Sequence, residues 1–449
     1  MTPPPSGEHG EEIYLFSGAF ALARRSDMTN KKPPAATKVR LDDLANLHTS
    51  CAGIDVHKSS VTVCWIGSGS EGEITEYGTT TGELRALGAW LKSKAVTHVV
   101  MESTGVYWKP VWQILEEGKF HLLLANARQV RNMPGRKTDQ ADAIWLATLL
   151  RKGLIEGSFI PPVEVRALRD LCRSRASLMH DRTRVVQRIE KTLEVANIKL
   201  DTVVSDLMGA SSQRMLRSMA QGETDPIQLA ALAVGRLRPK IAQLVPALEG
   251  HFLPHQRFLL QELLAQYDEI SERIGRFERR IDEYACPFEE AVERLSKIPG
   301  LERRSAIGIL SEIGSDMARF PSAAQLARWA AISPGNQQSA GKRLNTRIGA
   351  GNPWLRAILV QCAWAATRNK DSYLTAQFRR LLHRGRTRAI VAVAHSILKI
   401  IWHLLTRKVD YQDLGADYFQ RQNLDAHKRA YIKKLEKLGY IVTLSPLAA

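Results

Sequence analysis

A run of short apolar strands separated by helical stretches is the feature of this sequence that most limits its fold. Residues 51–56 and 61–66 are rich in apolar and β-branched residues, and the turn 57–60 separates them. Further apolar stretches follow at 98–103 and 120–126, with helical patterns at about 82–94 and 108–118 between them. Because strands that alternate with helices form a mixed or parallel sheet, residues 49–160 are expected to fold as an α/β domain.

Four carboxylates occupy notable positions on this scaffold. Asp55 lies inside the first apolar strand, where an unpaired charge would be costly, and Glu102 ends a later strand. Asp139 and Asp142 are three residues apart and share a helix face. Ligand sites in α/β sheets collect at the carboxyl ends of the strands, and carboxylate oxygens are the ligands that Mg²⁺ prefers. The sequence therefore places a candidate magnesium site in this domain.

The pair Asp139 and Asp142 has two interpretations. The two acids complement the positive end of the helix dipole, or they hold a divalent cation together with a substrate phosphate. A basic turn that contains Arg136 and Lys137 precedes them and supplies positive charge in either case. The order Asp, Glu, then Asp-x-x-Asp favours the cation, because it is typical of an RNase H-like (RuvC-like) fold whose carboxylates hold two metal ions.

The charge of the chain points to a polyanionic partner. The formal net charge is +17, and residues 296–411 contain nineteen Lys and Arg against five Asp and Glu. Nucleic acid is the commonest partner of such a surface, and a solvated basic face is the alternative. The arginines that cluster around Gly385 are the main candidates for phosphate contacts: Arg379, Arg380, Arg384, Arg386 and Arg388.

Other classes of protein fit poorly. The five cysteines are scattered without a CxxC motif, which argues against a disulfide framework or a zinc site and fits a reducing cytosol. We expect no membrane span, because no apolar run approaches the roughly 20 residues that one needs. We also expect no signal peptide, and a disordered extension at residues 1–48.

The middle of the chain, residues 161–290, is expected to be helical. One stretch repeats apolar residues at alternating spacings of three and four, as a coiled-coil seam does: Leu263, Tyr267, Ile270, Ile274, Phe277, Ile281 and Tyr284. An oligomerising coiled coil and an ordinary helix pair within one chain both fit this pattern. Residues 291–411 form a further, mostly α domain, and 412–449 a basic helical tail.

Two segments of the 291–411 domain suggest contacts with nucleic acid. Ile298-Pro299-Gly300 predicts a helix–hairpin–helix unit, in which Lys297 and the backbone at Gly300 would approach a phosphate. A plain helix turn is the alternative.

A polar, glycine-bearing loop at 332–343 is followed by a second loop at 348–354, which leads into a helix with Asn352 as its N-cap and Pro353 at its first position. The first loop carries Ser339 close to Lys342 and Arg343, and the basic residue Arg347 follows it. Ser339 is either a nucleophile toward phosphorus or a hydrogen-bonding serine, and composition alone favours the second.

Several motifs together resemble a known family. The runs Gly53–Lys58, Met101–Gly105 and Lys137–Ala143 look like the DEDD domain of the insertion-sequence family one-ten transposases. Ile298–Gly300, Ala330–Lys342 and Ala394–Leu398 look like its second domain. The Ser-Ala-Gly-Lys form is most similar to the subgroup called eleven-eleven. The resemblance covers roughly residues 50–410.

The resemblance implies a site-specific DNA recombinase that moves its own element. It implies that Asp55, Glu102, Asp139 and Asp142 bind Mg²⁺ and that Ser339 forms a covalent phosphoserine link to DNA. The two sites would then meet in one composite centre. It further implies donor and target DNA as substrates, a structured noncoding bridge RNA as guide, a dimer that becomes a tetramer in the synaptic complex, and a bacterial cytoplasmic, nucleoid-associated location.

Two competing functions remain at this stage. A Mg-dependent RuvC-like nuclease would cut DNA by hydrolysis at the carboxylates alone, without Ser339. A nucleic-acid-binding protein with a degenerate metal site would not use the carboxylates at all, which the presence of all four disfavours.

Overall fold

The computed structural model describes residues 45–69, 72–103, 105–126, 139–333, 337–339, 342–345, 348–349, 351–422 and 424–443. The chain divides into two compact units, the first ending at Ile160 and the second beginning at Pro161. Most of the predicted N-terminal extension lies outside the described residues, as do Arg136, Lys137 and Arg347.

The described part of the first unit is a mixed α/β fold, as the strand pattern predicts. Its elements are β1 Cys51–Val56, β2 Ser60–Ile66, β3 Gly72–Gly78, α1 Thr81–Ser93, β4 His98–Glu102, α2 Trp108–Glu117, β5 His121–Ala125 and α3 Asp139–Arg151. The strand order in the sheet is β3-β2-β1-β4-β5. Strands β1, β4 and β5 run parallel, whereas β2 is antiparallel to both β1 and β3.

Strand β3 was not expected from the sequence. Its residues, Gly-Glu-Ile-Thr-Glu-Tyr-Gly, contain few apolar side chains, and all of them are exposed or half-buried. It is an edge strand held by its pairing with β2 along its whole length. Because pairing rather than burial stabilises it, it leaves only a weak local signal.

Helices cover both faces of the sheet. Ile54 and Met101 point to the face covered by α1 and α2, where Leu87 and Leu115 are fully buried. Cys51 and Val100 pack on the opposite face against α3. Since side chains alternate along a strand, the odd-numbered residues of β1 and the even-numbered residues of β4 face α3.

The described elements of the second unit are almost all helical. They are α4 Val163–Val195, α5 Leu200–Val203, α6 Ala210–Gln221, α7 Pro226–Ala231, α8 Ile241–Leu248, α9 Pro254–Ala285, α10 Glu289–Ser296, α11 Arg303–Ile313, α12 Ala323–Trp329, β6 Gln337–Ser339, β7 Lys342–Asn345, α13 Pro353–Ala366, α14 Tyr373–Leu381, α15 Arg386–Arg407, α16 Tyr418–Gln422 and α17 Leu424–Lys437. Short 3₁₀ turns join some of them, including Leu382–Arg384.

The two long helices α4 and α9 pack against each other within one chain. Arg175 donates to Glu278 at 2.9 Å, and the Arg182 guanidinium lies 5.6 Å from the Tyr267 ring centroid, so the helices run antiparallel. The seam residues Ile270 and Ile274 are buried in this core. The seam therefore packs as a helix pair within one chain, which was one of the two alternatives, and oligomerisation through it stays a prediction.

Helix α15 is the core helix of the C-terminal part. Its apolar face packs against α12, α13 and α14. By length and composition alone it is the one described helix that could cross a membrane, but half of its most apolar window is buried inside the protein.

The polar segment at 332–352 differs in part from the expected loop. Gln337–Ser339 and Lys342–Asn345 pair as an antiparallel hairpin, in which Ser339 is the partner of Lys342. Asn352 is the N-cap of α13, as predicted, and its side chain accepts hydrogen bonds from the backbone N–H groups of Trp354 and Leu355.

Candidate functional site

Asp55 and Glu102 lie side by side at the carboxyl ends of two neighbouring parallel strands. The register pairs Ile54 of β1 with Met101 of β4, so the next residue of each strand stands at the same level. Both side chains belong to the set that faces α3, because they are two residues beyond Gly53 and Val100. Asp55 is 7% exposed and Glu102 is half-buried.

Helix α3 brings the other two carboxylates to the same face. Asp139 and Asp142 occupy its first turn, with Asp139 exposed and Asp142 half-buried. The helix lies unusually close to β1 at Gly53, where a Cβ atom would be 2.4 Å from the Ala143 carbonyl oxygen. A glycine in the strand opposite an alanine on the helix permits this approach, which holds the acidic turn of α3 over Asp55.

His57 connects the strand to the helix. Its Nε2 atom is 3.2 Å from Asp55 Oδ2 and 3.3 Å from Asp139 Oδ1. The residue follows β1 directly in the turn to β2, so its position is fixed by the strand end. His57 was not expected among the site residues, although it lies only two residues after Asp55.

The electrostatics of the site reflect crowded negative charge. Burial raises the pKa of Asp55, and the carboxylates of Asp139 and Asp142 raise it further, while His57 opposes the rise. For His57, burial lowers the pKa, but the attraction of Asp55 and Asp139 outweighs it and the net change is upward. A cation at this position therefore relieves the repulsion between the acids, and protonated His57 supplies one in part.

The donor set fits a divalent metal ion. Asp55, His57 and Asp139 each offer a ligand atom, and these atoms lie within 4.8 Å of one another. Among the described residues these three meet that criterion, and Asp142 is close enough for its charge to act on Asp55. Carboxylate oxygens suit Mg²⁺ or Mn²⁺, and an imidazole nitrogen is a ligand that Mn²⁺ accepts more readily than Mg²⁺.

A cavity of about 430 Å³ opens beside Asp139. Thr62 of β2 and Glu76 of β3 line it, together with Gln140 of α3. In the sheet, Asp55 of β1 pairs with Thr62 of β2, and Thr62 pairs with Glu76 of β3. All three side chains therefore lie on the face of the sheet that α3 covers. Glu76 was missed from the sequence because its strand was not expected, and it adds a fifth carboxylate near the site.

The predicted nucleophile belongs to the second unit. Ser339 ends β6, and its backbone pairs with that of Lys342, while Gln338 pairs with Arg343. The roles of Ser339, Lys342 and Arg343 stay predictions.

The predicted helix–hairpin–helix contacts are partly occupied within the protein. Helices α10 and α11 flank the hairpin, and Gly300 has a left-handed φ of +82°. A Cβ atom at Gly300 would be 2.4 Å from the Ala366 nitrogen, so this glycine packs directly on α13. Lys297 makes an ion pair with Asp410 at 2.6 Å, and a phosphate would have to compete with that carboxylate.

The five predicted phosphate-binding arginines all lie on the surface at one junction. Arg379 and Arg380 are in the last turn of α14, Arg384 follows in the 3₁₀ turn, and Arg386 and Arg388 begin α15. All are exposed.

Two family models match the chain. Residues 52–198 match a model described as a transposase domain, of the DEDD type from IS110 elements. Residues 292–384 match a model described as the transposase of the IS116/IS110/IS902 family. The first match contains Asp55, Glu102, Asp139 and Asp142, and the second contains Ser339.

Three curated relatives agree with these matches. The chain is 26% identical over 284 residues to the transposase for insertion sequence element IS1111A of Coxiella burnetii, covering 62% of this chain and 68% of that protein. It is 23% identical over 399 residues to the putative transposase y4qE of Sinorhizobium fredii, covering 80% of this chain and 89% of that protein. It is 35% identical over 154 residues to the transposase for IS1533 of Leptospira borgpetersenii, covering 33% and 44%.

Proposed function

Because the chain carries both transposase domains of the IS110 family, a class of enzymes that break and rejoin DNA, we propose that it moves its own insertion sequence through a phosphoserine intermediate. The proposed nucleophile is Ser339. The proposed assisting centre is a Mg²⁺ site formed by Asp55, Glu102, Asp139 and Asp142.

The arrangement of the acidic residues is the observation that supports this proposal. Asp55 and Glu102 end adjacent parallel strands, and α3 carries Asp139 and Asp142 to the same face of the sheet. The strand order β3-β2-β1-β4-β5 with an antiparallel β2 supports an RNase H-like (RuvC-like) fold for the first unit. Burial raises the pKa of Asp55, and the nearby carboxylates of Asp139 and Asp142 raise it further. The ionised cluster is therefore unfavourable without a cation, which supports a metal site.

Each residue of the centre has a distinct role in this proposal. The buried Asp55 anchors the metal to the sheet, and Glu102 holds the same edge from the neighbouring strand. Asp139 and Asp142 close the site from α3, and His57 orients the carboxylates of Asp55 and Asp139 through its Nε2 atom. A bound Mg²⁺ would supply positive charge against the negative charge that develops during phosphoryl transfer.

The proposed reaction at Ser339 conserves the phosphoester bond energy of the DNA backbone, because each step exchanges one phosphoester bond for another. The serine hydroxyl attacks the scissile phosphorus, an Oγ–P bond forms, and a deoxyribose oxygen leaves with the proton that the serine gives up. A hydroxyl of a second DNA strand then attacks the phosphoserine, the Oγ–P bond breaks, and the serine oxygen takes the proton that the attacking hydroxyl gives up. The pairing of Ser339 with Lys342 in the hairpin supports a phosphate contact by Lys342 beside the nucleophile, with Arg343 and Arg347 close in sequence.

The guide RNA, the oligomeric state and the location in the cell are proposed from the family resemblance alone. A structured noncoding bridge RNA would select donor and target DNA, which suits the large positive charge of the chain. Two such chains, and four in the synaptic complex, would bring a carboxylate centre and a serine together. The protein would act in the bacterial cytoplasm, at the nucleoid.

The experiment is the trapping of a covalent protein–DNA adduct. The full chain, RNA transcribed from the flank of the element, end-labelled donor DNA and Mg²⁺ are mixed and separated on denaturing gels. Ser339→Ala and Asp142→Asn test the two parts of the centre. Ser333→Ala is a control for a serine at the start of the same segment, and Glu117→Gln is a control for an exposed acid at the end of α2.

We expect a labelled adduct in the wild type and in both control variants, and none with Ser339→Ala or Asp142→Asn. Omission of the RNA should abolish the adduct if the RNA is the guide. Cleaved DNA without an adduct, persisting in Ser339→Ala, would replace this proposal with hydrolysis by a RuvC-like nuclease.

A further inference from the structure

The arginines at the α14–α15 junction differ from those elsewhere in the second unit. Most arginines of α4 and α11 are paired with acids; for example, Arg173 is 2.7 Å from Glu312 and Arg304 is 2.8 Å from Asp282. In the part of the chain that the structure describes, six arginines near the junction have no carboxylate within 4.0 Å: Arg368, Arg379, Arg380, Arg384, Arg386 and Arg388. Clustered positive charges that lack an internal carboxylate favour an external anion.

The start of α15 adds backbone donors to this cluster. Gly385, with φ of +100°, is the N-cap and offers no side-chain acceptor to the first turn. The first turn contains no acidic residue, and Arg384, Arg386 and Arg388 around it are exposed, so an anion can reach the N–H groups that have no partner within the helix. A helix N-terminus of this kind binds a phosphate well, because the backbone donors and the helix dipole act together.

A cavity with aromatic walls lies beside the same helix start. Its volume is about 530 Å³, and Trp364 of α13 and Phe378 of α14 form two of its walls. The two ring centroids are 5.9 Å apart at 66°, and both side chains are half-buried rather than enclosed in the core. Leu382 is 43% exposed on a further side. The volume lies within the roughly 300–1,000 Å³ of small-ligand sites.

Arg386 joins the two features. It is the first residue of α15, and its guanidinium carbon is 4.9 Å from the centroid of the Trp364 ring. Arg368 and Arg379 line the cavity as well. Arg386 therefore touches the aromatic wall and also belongs to the start of the helix.

We infer that this cavity receives an unpaired nucleobase, stacked against Trp364, while Arg386 and the start of α15 hold the adjoining phosphate. Aromatic rings and guanidinium planes stack with any base, whereas a base in a duplex is already stacked and paired. The site therefore selects single-stranded nucleotides over duplex DNA. Unpaired nucleotides are present in opened DNA during strand exchange and in the loops of a guide RNA, and the chemistry of recognition is the same for both.

This inference rests on the proposed function for the origin of the nucleotides, but its test requires no strand breakage. The full chain is titrated, in buffer with EDTA, into matched single-stranded DNA, single-stranded RNA and duplex DNA that carry the fluorescent base 2-aminopurine. Stacking on an aromatic ring quenches this base, and anisotropy of an end label reports binding. A lost adduct in the previous experiment would leave these results unaffected.

Trp364→Ala should weaken binding of single strands by about 5- to 100-fold and remove the quenching, with duplex binding unchanged. Trp364→Phe should retain most of both signals, because it keeps an aromatic face. Arg386→Ala should weaken single-strand binding and lower the salt dependence by about one released ion. Arg184→Ala is the matched control, since Arg184 is an exposed arginine paired with Asp181 on α4.

Unchanged single-strand binding in a folded Trp364→Ala variant would overturn the inference. So would an equal loss for single strands and duplex, which would indicate general electrostatic binding. If Trp364→Ala unfolds, the wild type, Trp364→Phe and Arg386→Ala still test the inference. Absence of 2-aminopurine quenching in the wild type would then overturn it. Tighter binding of RNA than of DNA would identify the guide as the source, and equal or tighter binding of DNA would identify the opened duplex.

Discussion

Replacing Gly53 with alanine tests how the carboxylate site is assembled. Gly53 is the point where β1 touches the backbone of α3. An added Cβ would be 2.4 Å from the Ala143 carbonyl oxygen and 2.4 Å from the Ala147 nitrogen. Both are backbone atoms, so no side-chain rotation can relieve the contact, and the helix itself has to move.

The size of that movement follows from the distances. Ordinary contact of a Cβ atom begins at about 3.4 Å, so α3 must retreat from β1 by about 1 Å. The helix face that moves is fully packed, with Ala143, Leu146 and Ala147 all 0% exposed. Overpacking of this kind costs about 1–3 kcal/mol, which corresponds to a fall of roughly 4–12 °C in the unfolding midpoint of a domain of this size.

The same shift should weaken metal binding. Asp139 and Asp142 are in the first turn of α3, whereas Asp55 is on the strand, so a retreat of the helix separates the two sets of ligands. Because Mg²⁺ demands near-ideal ligand geometry, we expect its affinity to fall by at least about tenfold.

The assay is thermal unfolding of the full chain with and without Mg²⁺, together with displacement of Tb³⁺ luminescence by Mg²⁺. Gly88→Ala is the matched control. A Cβ at Gly88, in α1, would be 3.6 Å from Leu115 Cδ2, an ordinary contact, and alanine should stabilise the helix by up to about 1 kcal/mol. If Gly53→Ala unfolded and bound metal like the wild type, the close approach of α3 would not be what positions the site.

Three further predictions concern other parts of the chain. Glu312 is 1% exposed and accepts two hydrogen bonds from Arg173, of 2.7 and 2.8 Å. Glu312→Gln should therefore lower the free energy of unfolding in urea by about 1.5–3 kcal/mol, whereas the exposed control Glu293→Gln should match the wild type. The raised pKa of His57 implies that its ionic contacts stabilise the metal-free protein fully at mildly acidic pH, and that this stabilisation is lost as pH rises through that pKa. The unfolding midpoint of His57→Asn should therefore depend less on pH than that of the wild type. An equal pH dependence would contradict this. Ile274→Ala should destabilise the α4–α9 pair by about 2–4 kcal/mol without changing the mass in sedimentation, and a dissociated species would instead assign the seam to a subunit interface.

The local patterns of the first unit were readable from the sequence because each depends on a few neighbouring residues. The apolar runs of β1, β2, β4 and β5 match the strands, and the spacing of Asp139 and Asp142 places both in one turn of α3. Asn352 was recognisable as a cap because a short polar side chain before Pro353 satisfies the first free N–H groups of the helix. Strand β3 was not readable, since its stability comes from pairing with β2.

The α/β character of the first unit, its carboxylates and the positive charge are readable from the sequence alone, because they depend on composition and local periodicity. Three contacts depend on the folded chain: His57 bridges Asp55 and Asp139, Glu76 lines a cavity with Asp139, and Trp364 and Arg386 share another cavity. These groups come from separate elements, and their distances depend on sheet register and helix packing. The close approach at Gly53 is the clearest case: a glycine in a strand is ambiguous until the helix that lies against it is known.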